Sequence, residues 1–532
     1  MVPHQYGRIG GASGTRNTRV TITVAILGDQ LQRMPAALTH ALQLAPREHI
    51  RIVLVESQAR LRKRRYQAHK IIFIISALRH YAAQLRTQGW QVDYYQSASW
   101  RAALQTHVAT HQPQQVITMA AAEYAARHAQ QQWQTWINVP VTIIPNQQFL
   151  SEHYNPLAQA TPGKRTVMEP FYRAMRHHFA VLMDGDAPCG GTWNFDQHNR
   201  KPLPNHGPRP ADMATPVDDL TATVIAEVST WSHLTGTGQS FSWGVTHADA
   251  EQRLDHFIAT RLPLFGDYED AMSQHHSHLF HSTLSPYLNV GLLEPLAVIR
   301  AAEAAYYAGT APLNAVEGFV RQVLGWREYM YQAYWRQMPD LMQCNAWDAQ
   351  RPLPAWFWPG RTSGMHCLDT VIGRVWQHGY THHIERLMLI SNFCVLAGIH
   401  PVAVNQWFLS GYIDAYDWVM WPNVSGMGLN ADGGLIATKP YIASATYIHK
   451  MGDFCGSCQY SPRLRTGEQA CPFNLLYWNF LLTHEARLRA NPRMGPAVLG
   501  LRHVADDERD QIRHQATMWL EQMPNESHHH EV

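Results

Sequence analysis

Two features of the chain predict an α/β N-terminal domain with a parallel, Rossmann-like sheet, followed by an all-α C-terminal domain. Between residues 20 and 150 short β-rich runs alternate with helical segments. After Phe241 helical patterns follow one another almost without strand signals. Strands that alternate with helices build a parallel sheet covered on both faces. A length of 532 residues leaves room for two or more domains. The chain is 45% hydrophobic and only 16% charged, ample material for packed cores.

Residues 1–19, rich in Gly, Ser, Thr and Arg, read as a disordered N-terminal extension. The α/β domain spans 20–150, with strands expected at 20–27, 50–56, 91–95, 115–119 and 141–145 and helices at 68–87, 100–110 and 121–137. The first strand ends in Leu27-Gly28-Asp29-Gln30. Ligands of doubly wound sheets bind beyond the strands' carboxyl ends, so this turn is a candidate small-molecule site as well as an ordinary βα turn. The basic run 60–65 (RLRKRR) reads as a solvated face or as a phosphate-contacting patch. Residues 151–240 lose periodicity and are punctuated by Gly190-Gly191, Pro202, Pro204, Pro208 and Pro210. They read as an inter-domain linker with one helix at 169–183, and Trp193-Asn194-Phe195-Asp196 is too aromatic for a free tether. The all-α domain spans 241–532, with helices expected at 247–260, 293–308, 315–335, 368–378, 383–397, 401–410 and 471–491.

A net charge of +2 leaves any nucleic-acid contact to local patches. Seven cysteines, an odd number in a long chain, favour a metal or redox role over a disulfide framework. Residues 1–20 lack an apolar signal core, and the longest clean apolar run, 71–78, is too short to span a bilayer. A soluble, cytoplasmic monomer is expected, without a membrane partner.

The stretch 380–434 holds the densest chemistry. It opens with His382-His383, continues as an apolar helical run, and ends in a loop with Asp414 and Asp417 among Tyr416, Trp418 and Trp421. Charges set among large aromatics are costly to bury without a partner. A large, flat, partly polar cofactor is such a partner, and the stretch reads as one wall of a flavin pocket. The two histidines are either core or capping residues or a proton donor to substrate. Arg386, three residues after His383, can pair with Asp414 or Asp417. The turn Ser282-Thr283-Leu284-Ser285-Pro286 is a helix cap or a diphosphate cradle. Gln322 and Trp326 share a helix face, with Arg327 beside Glu328. Cys455-x2-Cys458-x12-Cys471-Pro472 suits thiolate ligation of zinc or of an iron–sulfur cluster, with Cys367 the best fourth ligand. Spacing alone leaves that choice open.

In this order the motifs resemble the photolyase/cryptochrome family, and within it the iron–sulfur bacterial branch of prokaryotic (6-4) photolyases and photolyase-related proteins. The carrying residues include Leu27-Gly28-Asp29-Gln30-Leu31, His69-Lys70-Ile71, and Gly191-Thr192-Trp193-Asn194-Phe195-Asp196. Further on stand Arg321 to Tyr329, Thr381-His382-His383, Trp421-Pro422-Asn423-Val424, Ala431-Asp432-Gly433-Gly434, Thr438-Lys439-Pro440-Tyr441 and the cysteine segment. The resemblance implies FAD in the helical domain, near Tyr268, Thr283, Leu284, Ser285, Gln322, Arg327, Arg386, Asp414, Asp417 and Asn423. It implies a [4Fe-4S] cluster on Cys367, Cys455, Cys458 and Cys471. It also implies a 6,7-dimethyl-8-ribityllumazine antenna near Gly28, Asp29 and Gln30, although Leu54-Val55-Glu56 lacks the cysteine of some relatives. Trp407 and Trp358 match electron-transfer positions, with Phe408 where relatives carry Tyr. The implied activity is light-dependent DNA repair: photoexcited reduced flavin passes an electron to a flipped (6-4) photoproduct, with His383, and His382 beside it, supplying the proton. A blue-light photoreceptor or a cyclobutane-dimer photolyase are the alternative expectations.

Overall fold

Strands β1 (Ile22–Ala25), β2 (Ile50–Ser57), β3 (Gln91–Ser97), β4 (Gln115–Met119) and β5 (Val141–Ile144) pair in parallel, in the order β3-β2-β1-β4-β5. The computed structural model describes residues 21–161, 163–204 and 206–524, so the extension expected at 1–19 lies outside the described residues. Ile22, Val24, Ile52, Val53, Leu54 and Ile117 are buried, as strands covered on both faces require. The chain winds outward from β1 to β3, then returns to β4 on the other side of β1. The carboxyl ends of β1 and β4 therefore flank the point where the winding reverses, the usual crevice of such sheets.

The helix Ala68–Thr87 forms as expected, with Gln67 accepting from the Lys70 amide at its start. The helix expected at 121–137 begins later and breaks in two, Tyr124–Gln131 and Trp133–Ile137, because residues 120–123 turn beneath a cavity. The stretch 151–240 is more than a tether. Its helix Met168–Phe179 buries Phe171, Tyr172 and Met175, and a second helix, Asp219–Val228, packs on Ala68–Thr87. Trp193 lies under the guanidiniums of Arg173 and Arg176, 5.4 and 5.1 Å away.

In the helical half two expected α-helical runs, and the stretch after Asp414, expected as a loop, contain π-helical turns. Leu313–Val320 passes through Arg321–Arg327 into Glu328–Gln337. Glu385–Ser391 precedes Asn392–Ala397, and Asp417–Met420 continues into Trp421–Gly428. The expected 471–491 helix breaks at His484 into Pro472–Thr483 and Glu485–Arg489. No helix among the described residues is long and apolar enough to cross a membrane.

The halves are joined by buried polar bonds. The Gln67 amide donates to the Ser410 carbonyl at 2.9 Å, and the Asp417 amide to Glu123 at 2.9 Å. Lys70 reaches across to the carbonyls of Leu409 (2.9 Å) and Ala415 (2.6 Å). Burial, then the charges of Arg60 and Arg64, lower the Lys70 pKa to about 7. Because this lies below the unfolded value, the unfolded chain holds the extra proton between the two, and raising pH through that window favours the fold. Wild type is expected to gain thermal stability relative to Lys70→Met between pH 7 and pH 9. A pH-independent difference in unfolding midpoint would show that Lys70 does not titrate in this window.

Candidate functional site

All three π-helical turns border one cavity of about 300 Å³ in the helical half. Gln322, Val323, Trp326 and Arg327 come from the first, Arg386, Leu387 and Ser391 from the second, and Asn423, Val424 and Met427 from the third. A π turn widens the helix by one residue per turn, which suits positions where side chains must converge on a ligand. The wall is mainly apolar and aromatic, with Ser282, Ser285, Asn289 and Asp414 between the hydrophobic side chains.

Arg386 grips Asp414 through two bonds of 3.0 Å and donates from Nε to the Thr381 carbonyl at 2.8 Å. Ser285 donates to the same carboxylate at 2.6 Å, and Asn289 to the Asp414 carbonyl at 2.8 Å. Arg327 pairs with Glu328 at 2.5 Å and lies over Phe149, yet its buried Nε has no partner. Gln322 and Asn423 each donate back along their own helices, to Gly318 and Val419. Sequence reasoning placed four other residues here that the structure turns away. Thr283, at φ 56°, bonds to Ser282 and Arg253, and Leu284 enters the core. Tyr268 packs on Phe280 in a small cluster with Leu203. Asp417 points to the opposite side of its loop, toward Arg64 and Glu123.

At the cavity mouth stand three imidazoles. His383 and His281 line the cavity, whereas His382 is fully buried behind them. His281 stacks on His382 at 4.3 Å and meets His383 edge-on at 5.0 Å. The His383 ring is accessible from the mouth. Enclosure by the cavity walls, then Arg200 and Arg386, still lower its pKa to about 4. Burial, and then the neighbouring imidazoles, hold His281 and His382 well below the ordinary value. His382 Nε2 lies 3.5 Å from Glu385, whose carboxyl is raised to about 7 by burial against the opposing pull of Arg374. His281 was not picked out from the sequence, where the last of four histidines between 275 and 281 carries no pattern.

On the inner side of the cavity Phe408 contacts Trp407 at 5.3 Å. Trp407 is 6.0 Å from Trp376, which stacks on Trp358 at 5.1 Å. Trp358 is partly exposed, with Arg65 over its ring. Trp376 therefore bridges the two tryptophans singled out from the sequence. Trp407 and Trp376 both donate to the Phe357 carbonyl, which fixes their rings.

Cys367, Cys455, Cys458 and Cys471 line a single enclosed cavity with Met365, Ile448, Phe454, Tyr460 and Phe473. Burial raises the Cys455 thiol to about 11 and the Cys471 thiol to about 12, and the other three thiols add to burial at Cys367. Cys189, Cys344 and Cys394 lie outside this cavity.

A second cavity, about 280 Å³, opens at the carboxyl ends of β1 and β4. Gly28 and Asp29 line it with Glu56, Arg60, Lys70, Trp100, Glu123, Trp133 and Tyr416. Gln30 instead anchors the turn, donating to the Ala120 carbonyl at 3.1 Å. Burial, then Glu123, raises Asp29 to about 6. The basic run is partly paired, with Arg62, Lys63 and Arg65 exposed. Arg60 pairs with Glu123 at 2.6 Å, Arg64 donates to Gln406 at 2.7 Å, and Arg62 lies over Trp231.

Residues 24–243 match the family described as deoxyribodipyrimidine photo-lyase-related protein. A (6-4) photolyase of Agrobacterium fabrum is 40% identical over 507 residues, which cover 94% of this chain and 99% of that protein. A deoxyribodipyrimidine photo-lyase of the same organism is 25% identical over 200 residues, 36% of this chain and 40% of that one. Among solved structures, a bacterial class III photolyase from Agrobacterium tumefaciens shares the fold with a TM-score of 0.55 at 18% identity, covering 79% of this chain and 83% of that one. A Synechocystis cryptochrome does so with a TM-score of 0.54 at 14% identity, over 77% and 83%. The chain belongs to the photolyase/cryptochrome family, on the branch that includes the Agrobacterium (6-4) photolyase.

Proposed function

We propose that this protein is a light-dependent DNA repair enzyme that reverses (6-4) pyrimidine photoproducts, with FAD in the cavity bordered by the three π turns. The observation that carries the reading is a single cavity with imidazoles at its mouth and a tryptophan path leading from its inner side to the surface. The residues fit the cofactor. Flat apolar walls suit a ring system, and Arg386, Arg327, Ser285, Gln322 and Asn423 supply polar partners, including the unpaired Nε of Arg327. When bound, FAD in its reduced form supplies the photoexcited electron donor.

The chain's own residues do the rest. Neutral His383 at the mouth has one ring N–H to give and one lone pair to receive, so it can hand a proton to a flipped base and be resupplied. His281 braces it edge-on, and Glu385, with a carboxyl near neutrality, stores a proton one histidine deeper. Burial, then Arg493 and Arg200, lower the Lys439 pKa, and Arg200 also lowers that of His383. Lys439 and Arg493 lie near each other and form a basic pair suited to a phosphate backbone, whereas Arg200 is paired with Asp196 and Glu269. Trp407, Trp376 and Trp358 provide the route by which electrons reach the cavity from outside.

The four-cysteine cavity fits a [4Fe-4S] cluster, with Cys367, Cys455, Cys458 and Cys471 as the thiolates that would hold it. The cavity at β1 and β4 fits a small aromatic heterocycle between Trp100, Trp133 and Tyr416, with Asp29 and Lys70 for its polar edge. A ribityllumazine antenna belongs to that class.

Illuminated, pre-reduced protein is expected to restore a (6-4) lesion in an oligonucleotide and to leave a cyclobutane dimer intact, as read by chromatography of the products. Repair of the dimer alone would favour a cyclobutane enzyme, and repair of neither a photoreceptor. His383→Ala is expected to keep FAD absorbance and lose repair by roughly 10²–10⁴-fold. His281→Phe, which keeps the ring but not its nitrogens, should lose less; full activity in both variants would put the proton source elsewhere. Cys458→Ala should lose protein-bound iron and the brown iron–sulfur absorbance, and unchanged iron content would remove the cluster. Trp376→Phe should slow photoreduction severalfold while chemically pre-reduced protein repairs at the wild-type rate. Equal photoreduction would place the electron path elsewhere.

A further inference from the structure

At the outer edge of the sheet Asp93 on β3 and His107 and His111 on the helix Trp100–His111 turn toward one another. Asp93 Oδ2 is 3.7 Å from His107 Nδ1 and 3.6 Å from His111 Nε2. One donor atom from each residue lies within 4.8 Å of the other two. The Asp–His separations are too long for hydrogen bonds, so hydrogen bonding does not explain the convergence. They are close to what a tetrahedral ion imposes, since bonds of about 2.0–2.1 Å put neighbouring donors roughly 3.4 Å apart.

Two further features favour a ligand set over a chance grouping. The two histidines are four residues apart and share one helix face, with ring centroids 4.8 Å apart. His107 is fully buried, and its other nitrogen, Nε2, lies 2.8 Å from Thr23 Oγ1 on β1. A hydrogen on Nε2 donated to Thr23 leaves the Nδ1 lone pair facing Asp93 and His111, the outer bond that orients most metal-bound histidines. The Tyr95 hydroxyl lies within hydrogen-bond distance of the same Nδ1, at 3.3 Å, a contact that a bound ion would displace.

One neighbour opposes a cation. Arg51 donates from Nε to Asp93 Oδ2 at 3.0 Å. An ion bound here shares the carboxylate with that guanidinium, which holds the affinity below that of a site without it.

We propose that Asp93, His107 and His111 form a divalent transition-metal site, suited by its two imidazoles and one carboxylate to Zn²⁺ and accepting Co²⁺ or Ni²⁺. The ion cross-links the edge strand β3 to the helix whose first residue, Trp100, walls the β1/β4 cavity. The site is separate from the four-cysteine cavity and does not depend on what that cavity holds.

The test titrates Zn²⁺ into the full-length purified holoprotein after mild chelation, comparing wild type with His111→Ala, Thr23→Val and Arg51→Gln. The sequence run His528-His529-His530 and the cysteine cavity contribute the same background to every variant. His111 has 23% of its side chain exposed, so its replacement spares the core. Wild type is expected to bind one equivalent more than His111→Ala. Thr23→Val should bind that equivalent about tenfold more weakly, and Arg51→Gln more tightly. The Co²⁺ difference spectrum between wild type and His111→Ala should show the bands of a four-coordinate ion. Equal stoichiometry and superimposable Co²⁺ spectra in these two proteins would overturn the site.

Discussion

The segment 412–417 is held from two sides, and both cavities take their shape from that clamp. From the helical half Arg386 binds Asp414 through two charge-assisted bonds while lying 4.1 Å over the Tyr412 ring. From the sheet half Lys70 holds the Ala415 carbonyl and Glu123 holds the Asp417 amide. Asp414 lies in the turn at 413–414 and lines one cavity, and Tyr416, beyond that turn, lines the other. Removing either partner of the Arg386–Asp414 pair leaves a buried charge uncompensated, typically a cost of about 3–5 kcal/mol. The same loss frees the segment that both cavities share.

This arrangement gives the two halves a common wall rather than a flexible junction. Tyr416 lines the β1/β4 cavity and Trp418, two residues on, lines the other. The polar groups around that wall are mutually paired: Arg60 with Glu123, Arg64 close to Asp417, and Lys70 with backbone carbonyls. A buried network of this kind holds its members in place as long as each keeps its partner.

Much of this was legible in the sequence, where physical chemistry leaves a periodic or spaced mark. Alternating β and α segments predicted the sheet, and the thiol spacing, with Cys367, predicted four cysteines that the fold brings into one cavity. His383, Arg386, Asp414, Gln322, Arg327 and Asn423 all reach the cavity predicted for them. The misses have identifiable causes. Asp417 sits three residues beyond Asp414 in a loop, and nothing in composition says that the chain reverses its facing between them. Thr283 and Leu284 were taken with Ser285 as one cradle, but a left-handed residue at Thr283 turns only the serines inward. Trp376 and His281 were not singled out: Trp376 lies in an ordinary amphipathic helix, and His281 is the last of four histidines between 275 and 281, so no local pattern marks either. The helices Ala36–Leu44 and Ala445–Met451 start without side-chain caps and left no start signal.

The π turns at Arg321–Arg327, Glu385–Ser391 and Trp421–Gly428 also left no mark, because hydrophobic periodicity cannot tell a widened turn from an ordinary one. Each such turn amounts to a helix carrying one surplus residue. Deleting that residue would restore regular winding and withdraw the side chains that the wide turn brings to the cavity. Side-chain changes in these stretches alter a contact; changes in their length would dismantle a whole wall. The three segments are thus length-locked, and homologues should vary there by exchange of residues but almost never by gaps.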